Sequence, residues 1–183
     1  KASSVASIYT GANPNVNGIV ANAWMDRSTL RVINCVDDTG FMGHYTSEST
    51  SSARLKVSNL SDELMIATQG EAEVYSIAPT REMAVLSAGH ASKGAFWIND
   101  ETGKWSGTTY YDIFPKWVSS YNDRQGLDFR IGEMVWGPYL PVTSYKYLTT
   151  ETKQVTFKHK FDDERRNKYR MLKTSPYANE EVN

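Results

Sequence analysis

Apolar side chains recur at helical spacing from the start of the chain. Val5, Ile8 and Tyr9 share one side of residues 2–10, and Gly11 offers the stop. Asn13-Pro14 and Asn17-Gly18 are turn dipeptides, so a tight link leads into an extended stretch over 19–25. Residues 39–54 are rich in Ser and Thr without a period and read as a surface loop. Regular α/β signals follow. Ser61 is a good N-cap with Asp62 and Glu63 in the first turn, predicting a helix to about Gln69 that Gly70 closes. Glu73 to Ala78 reads as a short strand, and Thr80 caps a helix carrying Met83, Val85 and Leu86 towards Gly89. Ala95–Asn99 and Lys104–Tyr111 flank a turn at 100–103, the pattern of a hairpin. Pro115 suits a first helical turn, and the helix continues through Lys116 to Tyr121.

From about Asp123 the pattern loses its period. Phe129, Trp136, Tyr139, Tyr145, Tyr147, Phe157 and Phe161 are scattered in a background with Pro138 and Pro141, which reads as an extended excursion from a core. Phe161–Arg170 mixes both charge signs and reads as a solvated face. The expected division is therefore 1–122, core and hairpin; 123–172, a cap-like excursion; and 173–183, a return to the core. No internal repeat or low-complexity tract interrupts it.

Composition narrows the class. With 183 residues, 40% hydrophobic and 22% charged, the chain has the make-up of a globular domain. A net charge of -1 provides no field for nucleic acid or an anionic membrane, and no apolar run reaches the roughly 18 residues of a membrane span. The chain opens on Lys1 and enters a helix at once, with neither a starting Met nor a leader, so it reads as the interior of a longer protein. The one cysteine, Cys35, has no internal disulfide partner; in INCV it reads as a small buried hydrophobe, because a reactive thiol needs a basic neighbourhood this segment lacks.

One stretch points to chemistry. Ala6-Ser7, Thr10-Gly11, Gly18-Ile19 and Asn22 fall in the order and register of the segment that follows the nucleophile in the alkaline phosphatase superfamily. The chain resembles most the branch of phosphate-irrepressible alkaline phosphatases and type I phosphodiesterase/nucleotide pyrophosphatases. The likeness continues through Ser61-Asp62-Glu63-Leu64, Ser76–His90 ending in Ala-Gly-His, the aromatic hairpin over 95–111, Phe114–Val118 and Lys173–Asn179. It implies an α/β fold, a partial alkaline phosphatase-like core with a cap-like aromatic-rich insertion. It also implies a metal-dependent phosphoric ester hydrolase, a phosphatase or phosphodiesterase, exported to the periplasm or beyond the cell.

The resemblance also assigns positions. Lys1 stands where the family has its nucleophilic threonine, and Val5 where it has a histidine. Asn22 matches the amide that touches the substrate phosphate, a donor that adds no charge. Thr80 and Glu82 stand where monoesterases of the branch carry a Lys-x-Arg pair, with Arg81 between them as a potential phosphate ligand. Read locally, the same residues are a helix cap followed by first-turn surface charges, and Asn22 is a turn residue satisfying backbone. Losing the Lys-x-Arg pair favours diesters over monoesters. Lys1 cannot serve as a phosphoryl acceptor beside two zinc ions, and its ammonium could instead hold an anion, so a catalytically inactive pseudo-phosphatase acting as a binding or scaffolding domain is the alternative.

Two zinc ions are the cofactor the resemblance implies for active full-length members, with ligands outside residues 1–183. This chain's three histidines, His44, His90 and His159, have no shared-metal spacing, and Asp37-Asp38 and Asp162-Asp163 are adjacent pairs that point apart, so no metal ligand is assigned here. His90 reads as structural. Tyr110, Tyr111 and Trp105 read as packing, with a nucleobase clamp as their functional counterpart. The expected partners are a phosphate ester or other anion and the remainder of the chain's own polypeptide.

Overall fold

A computed structural model describes residues 1–111, 114–124, 126–141, 144, 149–150, 153–154, 159–161 and 168–178. The first helix, α1 (Ala2–Thr10), ends at Gly11 in the left-handed region, φ 64°, as its sequence requires. Its buried face is Ala2 and Ala6, however, while Ile8 is 78% exposed and Tyr9 38%. Small residues win that face because α1 lies against α4 (Arg81–Ala88), whose Ala84 and Ala88 are also fully buried and let the two backbones approach.

After the short α2 (Pro14–Asn17), β1 (Ala23–Asp26) and β2 (Arg31–Asn34) form an antiparallel hairpin with Met25 opposite Val32. Its turn is held by Asp26, which accepts from the Ser28 N–H and from both the Ser28 and Thr29 hydroxyls. Leu30 closes the turn at φ 54°, a left-handed conformation that costs a side-chain-bearing residue about 1–2 kcal/mol.

The last part of the expected surface loop is interior. Thr50, Ser51 and Ser52 are buried. Thr108 donates to the Thr50 carbonyl at 2.5 Å and Ser51 to Asp38 at 2.6 Å, so these two residues find their partners elsewhere in the fold. The same stretch contributes the two-residue strand β3 (Gly43–His44). Helix α3 (Leu60–Ala67) is capped two residues earlier than Ser61 suggests. Asn59 and Asp62 form a reciprocal capping box, with Asp62 N–H to Asn59 Oδ1 at 2.9 Å and Asn59 N–H to Asp62 Oδ2 at 3.0 Å. The Asn59 amide also donates to the Leu86 and Ser87 carbonyls, tying α3 to the end of α4. Ser61, inside the helix, donates to Ser87 O instead.

Strand β4 (Tyr75–Ala78), helix α4 and strand β5 (Gly94–Ile98) form a β-α-β unit with β4 and β5 parallel. Strand β6 (Trp105–Thr108) returns antiparallel to β5 as the expected hairpin, giving the sheet order β3-β6-β5-β4. Two cores sit on its two faces. On one, Ala95 and Trp97 meet α1 and α4 with Val36, Leu86 and Tyr111. On the other, Phe96, Ile98 and Trp105 meet Val118 of α5 (Lys116–Arg124), Leu127 and Ile131 of α6 (Gly126–Ile131), Phe161, and Tyr169 and Leu172 of α7 (Lys168–Leu172).

Phe161 and Tyr169 are therefore anchors at the ends of the mixed-charge run rather than parts of a solvated face. The Tyr169 ring covers Gly103 so closely that a Cβ there would overlap it, and its hydroxyl bonds Asp128. Asp100, in the turn of the β5–β6 hairpin, pairs with Lys173 and Arg170. Strands β7 (Val135–Trp136) and β10 (His159–Lys160) pair, as do β8 (Thr149–Thr150) and β9 (Lys153–Gln154). Asp162-Asp163, Tyr145, Tyr147 and Phe157 lie outside the described residues. Among the described residues no helix is long and apolar enough to cross a membrane.

Candidate functional site

In sheets with parallel strands and covering helices, ligands sit outside the carboxyl ends of those strands. Here Thr80, Arg81 and Glu82 follow β4, and Asn99, Asp100 and Glu101 follow β5. Both groups line one cleft of about 510 Å³, together with Lys1 at the start of α1, Thr46–Glu48, and Lys173 and Thr174 beyond α7. Three of the four sequence-assigned residues, Lys1, Thr80 and Arg81, thus share a cavity.

Asn22 stands beside it. Its Oδ1 accepts from the Ala2 N–H at 3.0 Å and from the Lys1 nitrogen at 3.3 Å. It thereby caps α1 from across a turn, satisfying a helix-start donor that α1 does not satisfy with a side-chain cap of its own. With Oδ1 turned to that backbone, the amide NH2 is the Asn22 group that remains to donate to an anion.

Thr80 holds the N-cap position of α4 in extended conformation without a side-chain cap bond. Arg81 is not a surface residue. It is buried, and its guanidinium meets Asp37 at 2.9 Å, Glu48 at 3.6 Å and the Thr50 hydroxyl at 3.3 Å. A cation held between two carboxylates offers little net field to a further anion. Glu82 is fixed by Asn34, whose Nδ2 donates to it at 2.6 Å. The sequence left no sign of Asp37, Glu48 and Asn34 as neighbours of these residues; only the fold brings them there. Asp38, next to Asp37, has its carboxyl held below the usual range by the Ser51 hydroxyl and the Gly40 N–H.

The other candidates stay structural. His90 bridges two elements, with Nδ1 2.8 Å from Asp62 Oδ2 and Nε2 2.9 Å from the Leu55 carbonyl. Asp62 also accepts from the backbone N–H groups of His90 and Ala91. Burial alone would raise its carboxyl, but the His90 ring and the Asn59, Ala91 and His90 N–H groups together hold it below the usual range. Tyr111 is buried and donates to Gly89 O at 2.7 Å, Trp105 is buried in the second core, and neither lines the cleft, so the described residues form no nucleobase clamp from them. Cys35 is buried, and desolvation pushes its thiol up to about 12.

Zinc ions need three or more converging imidazole, thiolate or carboxylate ligands. No group of three His, Cys, Asp or Glu among the described residues is arranged to hold one. These residues do not fit the two-zinc ligand set by themselves.

An α/β core with a cleft at the ends of β4 and β5, built around the ordered Ala-Ser, Thr-Gly, Gly-Ile and Asn positions, defines an alkaline phosphatase-like protein. The sequence profile of the type I phosphodiesterase / nucleotide pyrophosphatase family matches residues 1–175, and the chain belongs to that family. It is 32% identical over 95% of its length to the alkaline phosphatase PhoV of Synechococcus elongatus, spanning 34% of that protein. It is 29% identical over 95% of its length to a protein named calcium-transporting ATPase from Myroides odoratus. With the alkaline phosphatase PafA of Elizabethkingia meningoseptica it shares 31% identity over 76% of its length and 26% of the relative's. The wild-type PafA crystal structure matches with a TM-score of 0.73 at 29% identity, over 82% of this chain and 30% of that one. A solved PafA variant replaces a threonine and an asparagine 21 positions apart and a lysine and an arginine two positions apart. The chain spans about a third of the length of the first two relatives.

Proposed function

We propose that residues 1–183 form one wall of the active site of a phosphoric ester hydrolase, a phosphatase or phosphodiesterase of the alkaline phosphatase superfamily. The observation that carries this reading is the convergence of Lys1 and Thr80–Glu82 on one cleft at the carboxyl ends of β4 and β5, with Asn22 beside Lys1. The spacing agrees: Lys1 and Asn22 are separated by 21 positions, like the threonine and asparagine replaced in PafA, and Thr80 and Glu82 by two, like its lysine and arginine. In this reading the Asn22 NH2 donates to a phosphoryl oxygen, and the cleft walls orient the ester.

The charges favour one class of ester. Glu82 faces the cleft and Arg81 is balanced by Asp37 and Glu48, so a monoester dianion meets more repulsion than a diester monoanion. Zinc is the expected cofactor of the full-length protein, supplying Lewis-acid chemistry from ligands outside this chain. Export to the periplasm or beyond the cell belongs to the same proposal. So does partnership with a phosphate ester and with the rest of the polypeptide.

Lys1 favours a second reading, a catalytically inactive anion-binding domain, because an ammonium occupies the position the family gives to its nucleophile. Turnover of p-nitrophenyl phosphate and bis-p-nitrophenyl phosphate by the full-length protein, with zinc content measured alongside, separates the two. Chelator-sensitive hydrolysis with the diester preferred is the expected result. A correctly folded, zinc-supplied full-length protein that turns over neither ester would overturn the hydrolase reading.

A further inference from the structure

Arg81 is gripped unequally by its two carboxylates. Asp37 is built in: its Oδ1 lies 2.9 Å from Arg81 Nη2, its Oδ2 accepts from the Asn34 N–H at 2.7 Å, and its backbone bridges to Thr50. Glu48 is held more loosely. Its carboxylate stands 3.6 Å from Arg81 Nε, beyond hydrogen-bond reach, and this ion pair is the only polar contact its side chain makes among the described residues. The Glu48 side chain is 46% exposed, and an ion pair so open to water is weak. The Arg81 side chain is only 10% exposed, yet its Nε–H has no hydrogen-bond acceptor among the described residues, and the residue lines the cleft.

The backbone nevertheless takes trouble to bring Glu48 there. Tyr45 stands in the left-handed region at φ 58°, a conformation unfavourable to a residue with a side chain. Three contacts hold it: the Ser106 hydroxyl donates to its carbonyl at 3.0 Å, and its ring lies 5.5 Å from the Phe114 ring and 5.3 Å from the Lys104 ammonium. Beyond that turn, Thr46, Ser47 and Glu48 all line the cleft. The Glu48 N–H donates to the Thr46 hydroxyl at 3.2 Å, and the Ser49 carbonyl accepts from the Asp38 N–H at 3.1 Å. The main chain is thus tied down on both sides of a carboxylate that is itself barely tied. Strain of this kind persists where the surroundings over-determine it, as at ligand clamps.

We propose that Glu48 is a displaceable mask on Arg81. In the free protein it fills the Nε side of the guanidinium; when a phosphoryl group enters, a phosphoryl oxygen takes its place and Glu48 turns out to solvent. Asp37 stays throughout. Glu48 is then the residue that sets how much negative charge the cleft accepts. The proposal rests on the cleft receiving an anion, which the hydrolase and the anion-binding readings share.

Calorimetric titration of the full-length protein with inorganic phosphate tests it. Glu48→Gln keeps the shape and removes one charge; for a half-exposed group about 7 Å from the anion, at an effective dielectric of roughly 40–80, affinity should rise about 3–10-fold. Glu101→Gln removes the same charge from the same cleft, where Glu101 has no ion pair with Arg81 among the described residues, and should give a smaller gain. Equal gains would make Glu48 one cleft charge among several and overturn the proposal, as would no gain from Glu48→Gln. A crystal structure of the unmodified full-length protein with phosphate in this cleft gives a test that needs no variant. A phosphate oxygen on Arg81 Nε with Glu48 turned away is expected; phosphate bound with Glu48 still paired to Arg81 would overturn the mask. Affinity is read without turnover, so the two readings fail separately. A gain in Glu48→Gln with no ester hydrolysed leaves the mask and removes the hydrolase, and hydrolysis with unchanged phosphate affinity does the reverse.

Discussion

Replacing Asp62 by alanine should be among the most damaging single changes in this part of the protein. Asp62 is 4% exposed and its carboxylate accepts from four donors on two segments: Asn59 N–H at 3.0 Å, His90 N–H at 2.6 Å, Ala91 N–H at 2.9 Å and the His90 ring at 2.8 Å. Hydrogen bonds to a charged group contribute roughly 1.5–3 kcal/mol each, and a buried donor left without an acceptor costs about 1–3 kcal/mol. His90 is partly exposed, so water replaces some of what is lost; a net cost of about 3–5 kcal/mol follows, the order of two buried donors left without their acceptor. Asp62→Asn keeps one acceptor oxygen but turns an NH2 towards other donors, and should cost about half as much.

The assay is equilibrium denaturation of the full-length protein across pH. The Asp62 carboxyl lies below its ordinary value in the folded state, so its stabilisation is complete above the unfolded value of about 4 and is lost as pH falls through the folded one. Asp26, Asp38 and Asp128 are lowered too and contribute to acid sensitivity in both proteins, so the difference between wild type and Asp62→Ala isolates Asp62. That difference should shrink as pH falls from about 5 towards 3. A cost below about 1 kcal/mol at pH 7, or a difference that grows between about pH 5 and 3, would refute the reasoning.

Other expectations follow from single positions. Leu30→Gly should raise the denaturation midpoint by up to about 1 kcal/mol in stability, since Leu30 is 75% exposed and pays for a left-handed turn. Gly103→Ala should lose about 2 kcal/mol or more in the same measurement, because φ is 66° and the new methyl overlaps the Tyr169 ring. Under the proposed function, Glu82→Gln should raise kcat/KM for the aryl phosphate monoester relative to the diester by roughly 10–100-fold, since one charge about 6 Å away at an effective dielectric near 20 is worth about 3 kcal/mol; an unchanged ratio would remove Glu82 from the site. Cys35 should resist a thiol reagent at pH 8 in the native protein and react only on unfolding, its thiol having been pushed up to about 12.

The elements that period and capping alone determine were legible. Gly11 and Gly89 end the helices at the predicted places, and the β5–β6 hairpin stands where its turn demanded. Errors came where tertiary partners choose among equal local options. In Ser58-Asn59-Leu60-Ser61 three residues are chemically able to cap, and Asn59 is selected because its amide also reaches Leu86 and Ser87. Thr50 and Ser51 look soluble in sequence and are buried where Thr108 and Asp38 meet them. Arg81 reads as a first-turn charge until Asp37 and Glu48 close on it. The site itself depends on Lys1 and Thr80 lining one cleft, and no periodicity encodes that; register with a family does.

The clasp between the chain's end and the β5–β6 turn bears on the order of events during synthesis. Lys173 meets Asp100 from 73 positions away, and Phe161, Tyr169 and Leu172 are needed to cover Phe96, Ile98 and Trp105. At roughly 5–20 residues per second, a ribosome leaves that aromatic face uncovered for about 4–15 s after the hairpin emerges. During that interval the nascent protein presents a sticky sheet to its surroundings, so the second core is where a folding chaperone has its opportunity to bind.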